Sequence, residues 1–261
     1  MLGGVAVATA LALLAPLGWP FELFSHFRVQ YFAAALVLAA LLAWRRRAVS
    51  AVFALVIAVW HGLPALSPSN AAAQVPDCTG PAVTVATVNV QFSNTRPDAF
   101  RAWLATQPAD FLVIQEVTTA WAAELEAQTA YPHRHIVARE DPYGLALLSR
   151  WPMESVALVD LADDGLPSLA GIVDAGGPRL RFPPPHPHRP PTPPPPPPPG
   201  EAPPGAGAPA SAADLPVVLL GDLNLTPDSP AFHRLLDESG LRDAMLGRGW
   251  RPTWLAGFWP L

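Results

Sequence analysis

The chain contains no lysine and a single cysteine, and it is poor in charge of either sign. All 16 basic residues are arginines, set against 21 Asp and Glu, and charged residues make up only 14% of the 261 residues. Because Cys78 has no second cysteine to pair with, a disulfide within the chain is excluded, and we interpret this thiol as inert. The hydrophobic share of 51% is too high for an ordinary soluble enzyme of this length, which indicates a membrane-embedded part.

Charge is scarcest at the amino-terminal end. Three apolar stretches, at residues 2–19, 29–44 and 49–66, each approach the roughly 20 residues that span a bilayer. We therefore predict a three-span transmembrane region over residues 1–69, followed by a linker over residues 70–80. Two spans with a re-entrant segment, or a signal peptide followed by buried core helices, are the alternatives to this interpretation.

The few charges of this region predict its orientation. Arg45, Arg46 and Arg47 separate the second and third apolar stretches, and loops rich in arginine stay in the cytoplasm. The third span then leads outward. We therefore predict a multi-pass membrane protein whose residues after Ser69 lie on the extracytoplasmic side, which is the periplasmic side in a bacterium.

The clearest chemical pattern lies near the end of the chain. The apolar run at residues 215–220 has the length and composition of a buried strand, and it ends at Gly221, which lets the chain turn out of a sheet. Asp222 and Asn224 follow, and strand alternation would point both side chains the same way. A carboxylate beside an amide suits the activation of water and the orientation of a phosphate or metal, with a plain turn as the alternative.

Three apolar runs farther upstream also end in polar side chains, at the positions where α/β enzymes place their chemistry. Glu116 is the predicted Mg²⁺ ligand, because a hard cation prefers carboxylate oxygen on a rigid strand end, and Asn89 is predicted to help hold the metal or the phosphate. Arg150 is either a source of positive charge for a phosphate or a solvated residue. The runs are 83–90 with Asn89, 110–117 with Gln115 and Glu116, and 144–150 with Arg150.

In this order and spacing, the runs and the Gly221-Asp222-Leu223-Asn224 turn resemble the endonuclease/exonuclease/phosphatase family of DNase I-like phosphoesterases, in particular its membrane-anchored bacterial members. The resemblance implies a domain over residues 81–261 folded as a four-layer α/β/β/α sandwich, with Mg²⁺, or Mn²⁺ in its place, as cofactor. It also implies that Asp222 orients or deprotonates the attacking water and that Asn224 hydrogen-bonds the phosphate oxygens. The implied activity is hydrolysis of a phosphodiester or a phosphomonoester.

Hydrophobic periodicity and turn chemistry predict only an alternating α/β order. The predicted helices begin near Pro97 (with Asn94 or Thr95 as cap), at Thr118 or Thr119, and at Ser229. The predicted strands cover residues 83–90, 111–116, 134–138, 144–149, 155–160, 168–173, 179–182 and 216–220.

A proline tract interrupts this pattern. Of the 22 residues from Pro183 to Pro204, 15 are proline, and the low-complexity segment 183–210 is therefore predicted to be polyproline II or disordered rather than a strand. By resemblance, a His at this point of the chain contacts the scissile phosphate, and His186 is the residue placed to take that role. His188 is the other candidate, and an incidental place in the tract is the alternative for both.

The carboxy-terminal end also departs from the family pattern. The family ends with an Asp-His pair on a last strand, and the sequence reaches Leu261 without one, so we expect a truncated domain without that strand. Two interpretations stand: an active membrane-anchored phosphoesterase, or an impaired or inactive membrane protein that retains a degenerate phosphoesterase fold. The Lys-free, Ala/Pro/Gly/Arg-rich composition also suits a GC-rich gene in which a slipped reading frame produced the tract.

The charge of the predicted enzyme domain bears on its partners. After residue 69 the chain carries 12 Arg against 20 Asp and Glu, a net charge of −8 that is the opposite of a nucleic-acid-binding footprint. We therefore expect a phosphate ester such as a lipid head group or a phosphorylated small molecule as substrate, beside the lipid bilayer, in preference to nucleic acid. The sequence pattern predicts no oligomeric state.

Overall fold

A computed structural model of the chain describes residues 1–66, 82–160, 167–176, 179–182 and 215–246, together with Arg248 and Thr253. The chain divides into two compact units. The first unit combines Met1–Thr79 with Asn224–Leu261, and the second unit is Gly80–Leu223. The amino-terminal region therefore shares its unit with the segment that follows the Gly221-Asp222-Leu223 turn.

In the described part of the second unit, two helices alternate with the first three strands and four further strands follow, whereas the described part of the first unit is helical. The helices are α1 (Leu2–Leu13), α2 (Arg28–Trp44), α3 (Ala48–Gly62), α4 (Asp98–Thr106), α5 (Thr119–Glu126) and α6 (Pro230–Ser239). The strands are β1 (Val85–Asn89), β2 (Phe111–Gln115), β3 (His133–Val137), β4 (Leu145–Ser149), β5 (Met153–Asp160), β6 (Pro167–Asp174) and β7 (Arg179–Phe182). Short 3₁₀ turns cover Ala15–Leu17, Phe21–Phe27 and Leu63–Leu66.

In the first unit, α2 and α3 form an antiparallel hairpin. The guanidinium of Arg28, at the start of α2, donates to the carbonyls of Trp60 and His61 at the end of α3, at 3.1 and 3.2 Å. The two helices approach closely where their residues are small: a Cβ added to Gly62 would lie 2.9 Å from the ring of Phe32. The turn at residues 45–47 closes the opposite end of the hairpin.

One helical segment of the described residues, Phe21–Trp44, is long and apolar enough to cross a membrane, at 24 residues and a mean hydropathy of 1.7. The apolar helices α1 and α3 are shorter, at 12 and 15 residues. Most of the large apolar side chains that the structure leaves exposed lie in residues 1–63. Since a core helix would bury such side chains, Phe21–Trp44 is the candidate membrane anchor.

The first apolar stretch does not continue as one helix. α1 ends at Leu13, and Pro16 then lies in a 3₁₀ turn, where its missing N–H removes a donor from the helical ladder. Gly18 follows with φ 92°, a conformation that favours glycine. The apolar stretch at residues 2–19 is therefore a short helix followed by a turn.

The second unit contains two sheets. The first has the strand order β1-β2-β4-β3, in which β1 and β2 run parallel and the other neighbours antiparallel. The second is antiparallel with the order β5-β6-β7. Val217 adds a single parallel bridge to Arg181 of β7, so the chain before Gly221 runs along the edge of the second sheet.

Strand alternation divides the core of this unit into two layers. One face of the first sheet packs against α4 and α5, with Ile114 and Trp121 in the buried cluster. The other face packs against the second sheet, where the rings of Phe111 and Phe182 stack at 4.0 Å. The predicted mixed α/β class is confirmed. The described residues of this unit form three of the four predicted layers, namely the helices α4 and α5, the first sheet and the second sheet. They include no helix on the outer face of the second sheet.

Two predicted elements differ from the structure for local reasons. α4 follows Pro97 directly, and the side chain of Asn94 instead accepts from the backbone N–H of Arg96 at 3.0 Å, which makes a turn ahead of the helix. The predicted strand at residues 216–220 is reduced to one bridge, because Pro216 has no N–H for a continuous ladder. The low-complexity segment 183–210 lies outside the described residues.

Gly144 occupies a position where a side chain does not fit. Its carbonyl accepts from the N–H of Val117 at 3.0 Å, and the carbonyl of Val117 accepts from the N–H of Arg139, also at 3.0 Å. A Cβ on Gly144 would lie 1.9 Å from the carbonyl oxygen of Val117. Because Val117 follows Glu116, this close approach holds the backbone at the end of β2.

Replacing Gly144 by alanine is expected to lower the free energy of unfolding by about 1–3 kcal/mol, the usual cost of overpacking. The measurement is urea denaturation of the full chain in detergent, followed by tryptophan fluorescence. The matched control is Gly171→Ala, where the nearest atom to an added Cβ is Cγ2 of Val156, at 3.3 Å, and a side chain can yield. Equal stability of the two variants would contradict this account of Gly144.

Candidate active site

Three of the predicted site side chains meet beyond the carboxyl ends of β1 and β2. The Nδ2 amide of Asn89 donates to Oε1 of Glu116 at 2.7 Å and to Oδ2 of Asp222 at 3.0 Å. All three residues belong to the second unit, although Asp222 is more than 100 positions from the other two in the sequence. A single amide group thus holds two carboxylates next to each other.

The position of Asn89 follows from the alternation of β1. Ala86 and Val88 pack against the cluster under the helices, so Thr87 and Asn89 point to the face that meets the second sheet. In the parallel pairing of β1 with β2, Asn89 is opposite Gln115, whose buried amide donates to Oγ1 of Thr87 at 2.9 Å. Parallel strands end at the same edge of a sheet, which brings the residue after Gln115 to Asn89.

Glu116 adopts a left-handed backbone conformation, with φ 61°. Few residues other than glycine do so, and such strain costs of order 1–3 kcal/mol unless the surrounding structure holds it in place. Continued alternation would turn the carboxylate of Glu116 toward the helices. The left-handed turn instead directs it to Asn89 and to the backbone N–H of Phe92, which donates to Oε2 at 2.8 Å.

Two backbone groups after β1 orient the site, and the sequence analysis did not identify them. The N–H of Gln91 donates to Oδ1 of Asn89 at 2.8 Å, which leaves the NH₂ group of that amide facing the carboxylates. The N–H of Phe92 orients Glu116. An Asn at a strand end is a signal for the first contact, since its side chain often accepts from the N–H two residues on. The second contact has no signal, because any residue supplies an N–H.

Asp222 reaches the site through the turn at Gly221. The preceding chain runs beside β7, where the N–H of Val218 donates to the carbonyl of Arg181 at 3.0 Å. Gly221 then takes φ 151°, which an L-residue rarely adopts, and the carboxylate of Asp222 follows at the surface. The sequence interpretation of Gly221 as the point where the chain leaves the sheet agrees with this geometry.

The donor set of the site suits a hard divalent cation. Two carboxylates and an amide oxygen are the ligand types that Mg²⁺ and Mn²⁺ take, and two negative charges drawn together by one amide leave negative potential for a cation to neutralise. Within the described ranges, no group of three or more His, Cys, Asp and Glu side chains is arranged to hold a metal. The residues present therefore fit an ion that also takes ligands from water or substrate.

The structure describes the remaining predicted residues to different extents. Asn224 is exposed with φ 51°, and it belongs to the first unit. His186 and His188 lie outside the described residues. Arg150 follows β4, which runs antiparallel to β2, so it is at the opposite edge of the sheet, 3.4 Å from Asp110. Its interpretation as a source of charge for a phosphate is therefore wrong, and the alternative of a surface residue is correct.

The chain belongs to the endonuclease/exonuclease/phosphatase family, whose sequence model matches residues 86–261, more than half of its length. The family generally uses divalent metal ions. No curated protein matches the chain.

Several solved structures are similar to parts of the chain. TDP2 from Caenorhabditis elegans is 18% identical over 59% of the chain, with a TM-score of 0.35. The 3′ phosphatase NExo from Neisseria, solved with a product DNA hairpin, is 27% identical over 39% of the chain, with a TM-score of 0.32. An AP endonuclease from Archaeoglobus fulgidus is 21% identical over 39%, with a TM-score of 0.31. The chain spans 52% of the first of these structures and 40% of each of the other two.

Replacing Asn89 by aspartate tests how the two carboxylates are held together. The change removes the shared donor and adds a third negative charge, so in EDTA we expect Asn89→Asp to melt at a lower temperature than Asn89→Ala, which only removes the donor. Addition of Mg²⁺ should raise the melting temperature of Asn89→Asp more than that of the wild type, because a bound cation stabilises the folded state. Equal responses of all three proteins to EDTA and Mg²⁺ would argue against a cation site here.

Proposed function

We propose that the protein is a membrane-anchored phosphoesterase that depends on a divalent metal and hydrolyses a phosphate ester outside the cytoplasm. The observation that carries this proposal is the convergence of Asn89, Glu116 and Asp222 through the amide of Asn89. Family membership supports the reaction class. The low charge and exposed apolar surface of the amino-terminal helices support the membrane anchor.

Glu116 and Asn89 are the proposed ligands of Mg²⁺, or of Mn²⁺ in its place. Glu116 offers a carboxylate oriented by the N–H of Phe92. The amide oxygen of Asn89 accepts from the N–H of Gln91, so it joins the ion only after the side-chain amide turns over. When bound, the ion supplies charge stabilisation to the phosphoryl oxygens. The contact with Phe92 reduces the reorganisation that binding requires at Glu116, because that carboxylate is already positioned.

Asp222 is the proposed group that orients and deprotonates the attacking water. Its carboxylate is held by the Asn89 amide and exposed to solvent, so it can accept a proton from a water molecule that attacks phosphorus. We assign Asn224 to hydrogen bonds with the phosphate oxygens and His186 to contact with the scissile phosphate, both from the family resemblance. No covalent intermediate with the protein is required.

An impaired enzyme is the second candidate, and the openness of the site favours it. Asn89 and Asp222 are both exposed, so water competes for each hydrogen bond and weakens the electrostatic effect of each charge. In this case the protein binds Mg²⁺ weakly and turns over model phosphodiesters slowly. The two candidates differ in rate and not in the residues involved.

The activity test compares three proteins purified in detergent: the wild type, Asp222→Asn and the control Glu126→Gln. The substrate is bis-(p-nitrophenyl) phosphate, with and without Mg²⁺. Asp222→Asn should lose ~10²–10⁴-fold in rate, the range for a group that moves a proton in the transition state. Glu126→Gln removes one charge from an exposed helical position and should not change the rate.

Glu116→Gln completes the comparison, since it should raise the Mg²⁺ concentration required for half-maximal rate. Mg²⁺-dependent turnover that falls in Asp222→Asn and needs more Mg²⁺ in Glu116→Gln would support an active enzyme. A wild-type rate no higher than that of Asp222→Asn would support the impaired form. Turnover that needs no metal would overturn the proposal.

The proposed topology has three membrane passes, with residues 45–47 in the cytoplasm and the phosphoesterase outside. The hairpin of the first unit supports it. The Arg-rich turn closes one end of α2, and Arg28, at the other end, contacts Asp228 of the carboxy-terminal segment at 3.4 Å. Since α2 has 17 residues and rises ~1.5 Å per residue, these ends are ~25 Å apart, close to the thickness of a bilayer core.

We propose a lipid head group or a phosphorylated small molecule as the substrate, in preference to nucleic acid. The part of the chain after residue 69 has a net charge of −8 and no lysine, whereas binding of a nucleic-acid backbone is driven by basic side chains. A membrane anchor also keeps the enzyme at a surface rich in lipid phosphates.

Reporter fusions test the topology. Alkaline phosphatase, which is active only outside the cytoplasm, should be active when fused after Ser69 and inactive when fused after Arg47. A fluorescent protein that folds only in the cytoplasm should show the reverse pattern. If alkaline phosphatase is active at both junctions or at neither, the three-pass arrangement is wrong.

A further inference from the structure

Glu22 is the only acidic residue among residues 1–69, and it contacts the start of α6 within the first unit. Oε1 of Glu22 accepts from the hydroxyl of Ser229 at 2.5 Å and from the backbone N–H of Ala231 at 2.9 Å. Ser229 is fully buried, and its Oγ also accepts from the N–H of Phe232 at 3.3 Å. Two side chains, one from the far end of the sequence, therefore satisfy the free N–H groups at the start of α6.

Two further contacts join the same pair of segments. Nδ1 of His26 lies 3.0 Å from Oγ1 of Thr226, and Arg28 lies 3.4 Å from Asp228. Glu22, His26 and Arg28 are thus spread along a 3₁₀ turn and the start of α2, and each contacts a residue between Thr226 and Ala231. Because Arg28 also donates to the end of α3, the set is fixed to the helical hairpin.

The contacts of Glu22, His26 and Arg28 favour a fixed position for the segment at residues 226–231. A carboxylate at a helix N-terminus interacts favourably with the helix dipole, and its hydrogen bonds are stronger than those between neutral groups. A lone carboxylate next to an apolar membrane segment is costly without such partners. The contacts with Ser229 and Ala231 explain why an acidic residue stands at this place, in a region with no other acidic residue.

We propose that Glu22 is a positioning residue of the phosphoesterase: it caps α6 and thereby fixes the chain that follows Asn224. Thr226, two residues after Asn224, is held through His26, and Ser229 through Glu22. The amino-terminal region is then part of the working enzyme as well as its anchor. This inference rests on the proposed function for its effect on rate, whereas the capping contact itself does not.

The test uses the full chain in detergent as wild type, Glu22→Ala, Glu22→Gln and the control Glu126→Ala. Hydrogen exchange at the amides of Ala231 and Phe232 reports the cap. Loss of a cap should raise these exchange rates ~5–10-fold in Glu22→Ala, whereas Glu22→Gln keeps an acceptor oxygen and should stay within about twofold of the wild type. Glu126→Ala should have no effect on α6.

Turnover of bis-(p-nitrophenyl) phosphate reports the positioning. In Glu22→Ala, kcat should fall ~5–10-fold in parallel with the loss of protection, with KM unchanged because the residue touches no substrate. Glu22→Gln should restore most of kcat. This rescue distinguishes positioning from a general loss of fold, which would lower the amount of active protein in both variants.

Each outcome decides one part of the inference. Unchanged exchange in Glu22→Ala would overturn the cap, and lost protection with unchanged kcat would overturn the positioning role. If the wild type shows no turnover, the proposed function fails, and exchange alone then decides whether Glu22 caps α6. A rise in KM with constant kcat would also count against the inference, because it would indicate direct contact with the substrate.

Discussion

The candidate site depends on one amide group. Asn89 donates to Glu116 and Asp222, two carboxylates that would otherwise repel each other at close range. The donor is itself fixed, since the amide oxygen accepts from the N–H of Gln91. With the amide in any other orientation, an oxygen would face two carboxylates and the arrangement would be unfavourable. The side-chain chemistry of the site therefore follows from the turn after β1.

The backbone supports this amide on both sides. Glu116 takes a left-handed conformation at the end of β2, and the close approach of Gly144 to Val117 holds the next residue in place. On the other side, Gly221 turns the chain away from the second sheet so that Asp222 reaches Asn89. Unusual backbone conformations at the strand ends thus direct the carboxylates of Glu116 and Asp222 toward Asn89. The two sheets of this unit pack against each other through Phe111 and Phe182.

In the helical unit, a small number of charged groups connects segments that are far apart in the sequence. Its amino-terminal part carries one carboxylate, Glu22, and the structure pairs it with the first turn of α6. Arg28 bonds both to the end of α3 and to Asp228, so one guanidinium connects the hairpin to the carboxy-terminal segment. Desolvation makes unpaired charges costly in such surroundings, which accounts for the defined partners of Glu22 and Arg28.

Much of the fold was predictable from the sequence, because strand and helix periods are local properties. The run that ends in Asn89 and the β-type run at residues 179–182 became β1 and β7 within two residues of their predicted bounds, and the role of Gly221 as a turn was also predictable. The place of Arg150 was not, since it depends on the antiparallel pairing of β4 with β2. The left-handed turn at Glu116, the N–H of Phe92 and the partner of Glu22 were decided only by tertiary structure. These contacts join residues that are far apart in sequence or use backbone groups that every residue has, and no local pattern of side chains encodes them.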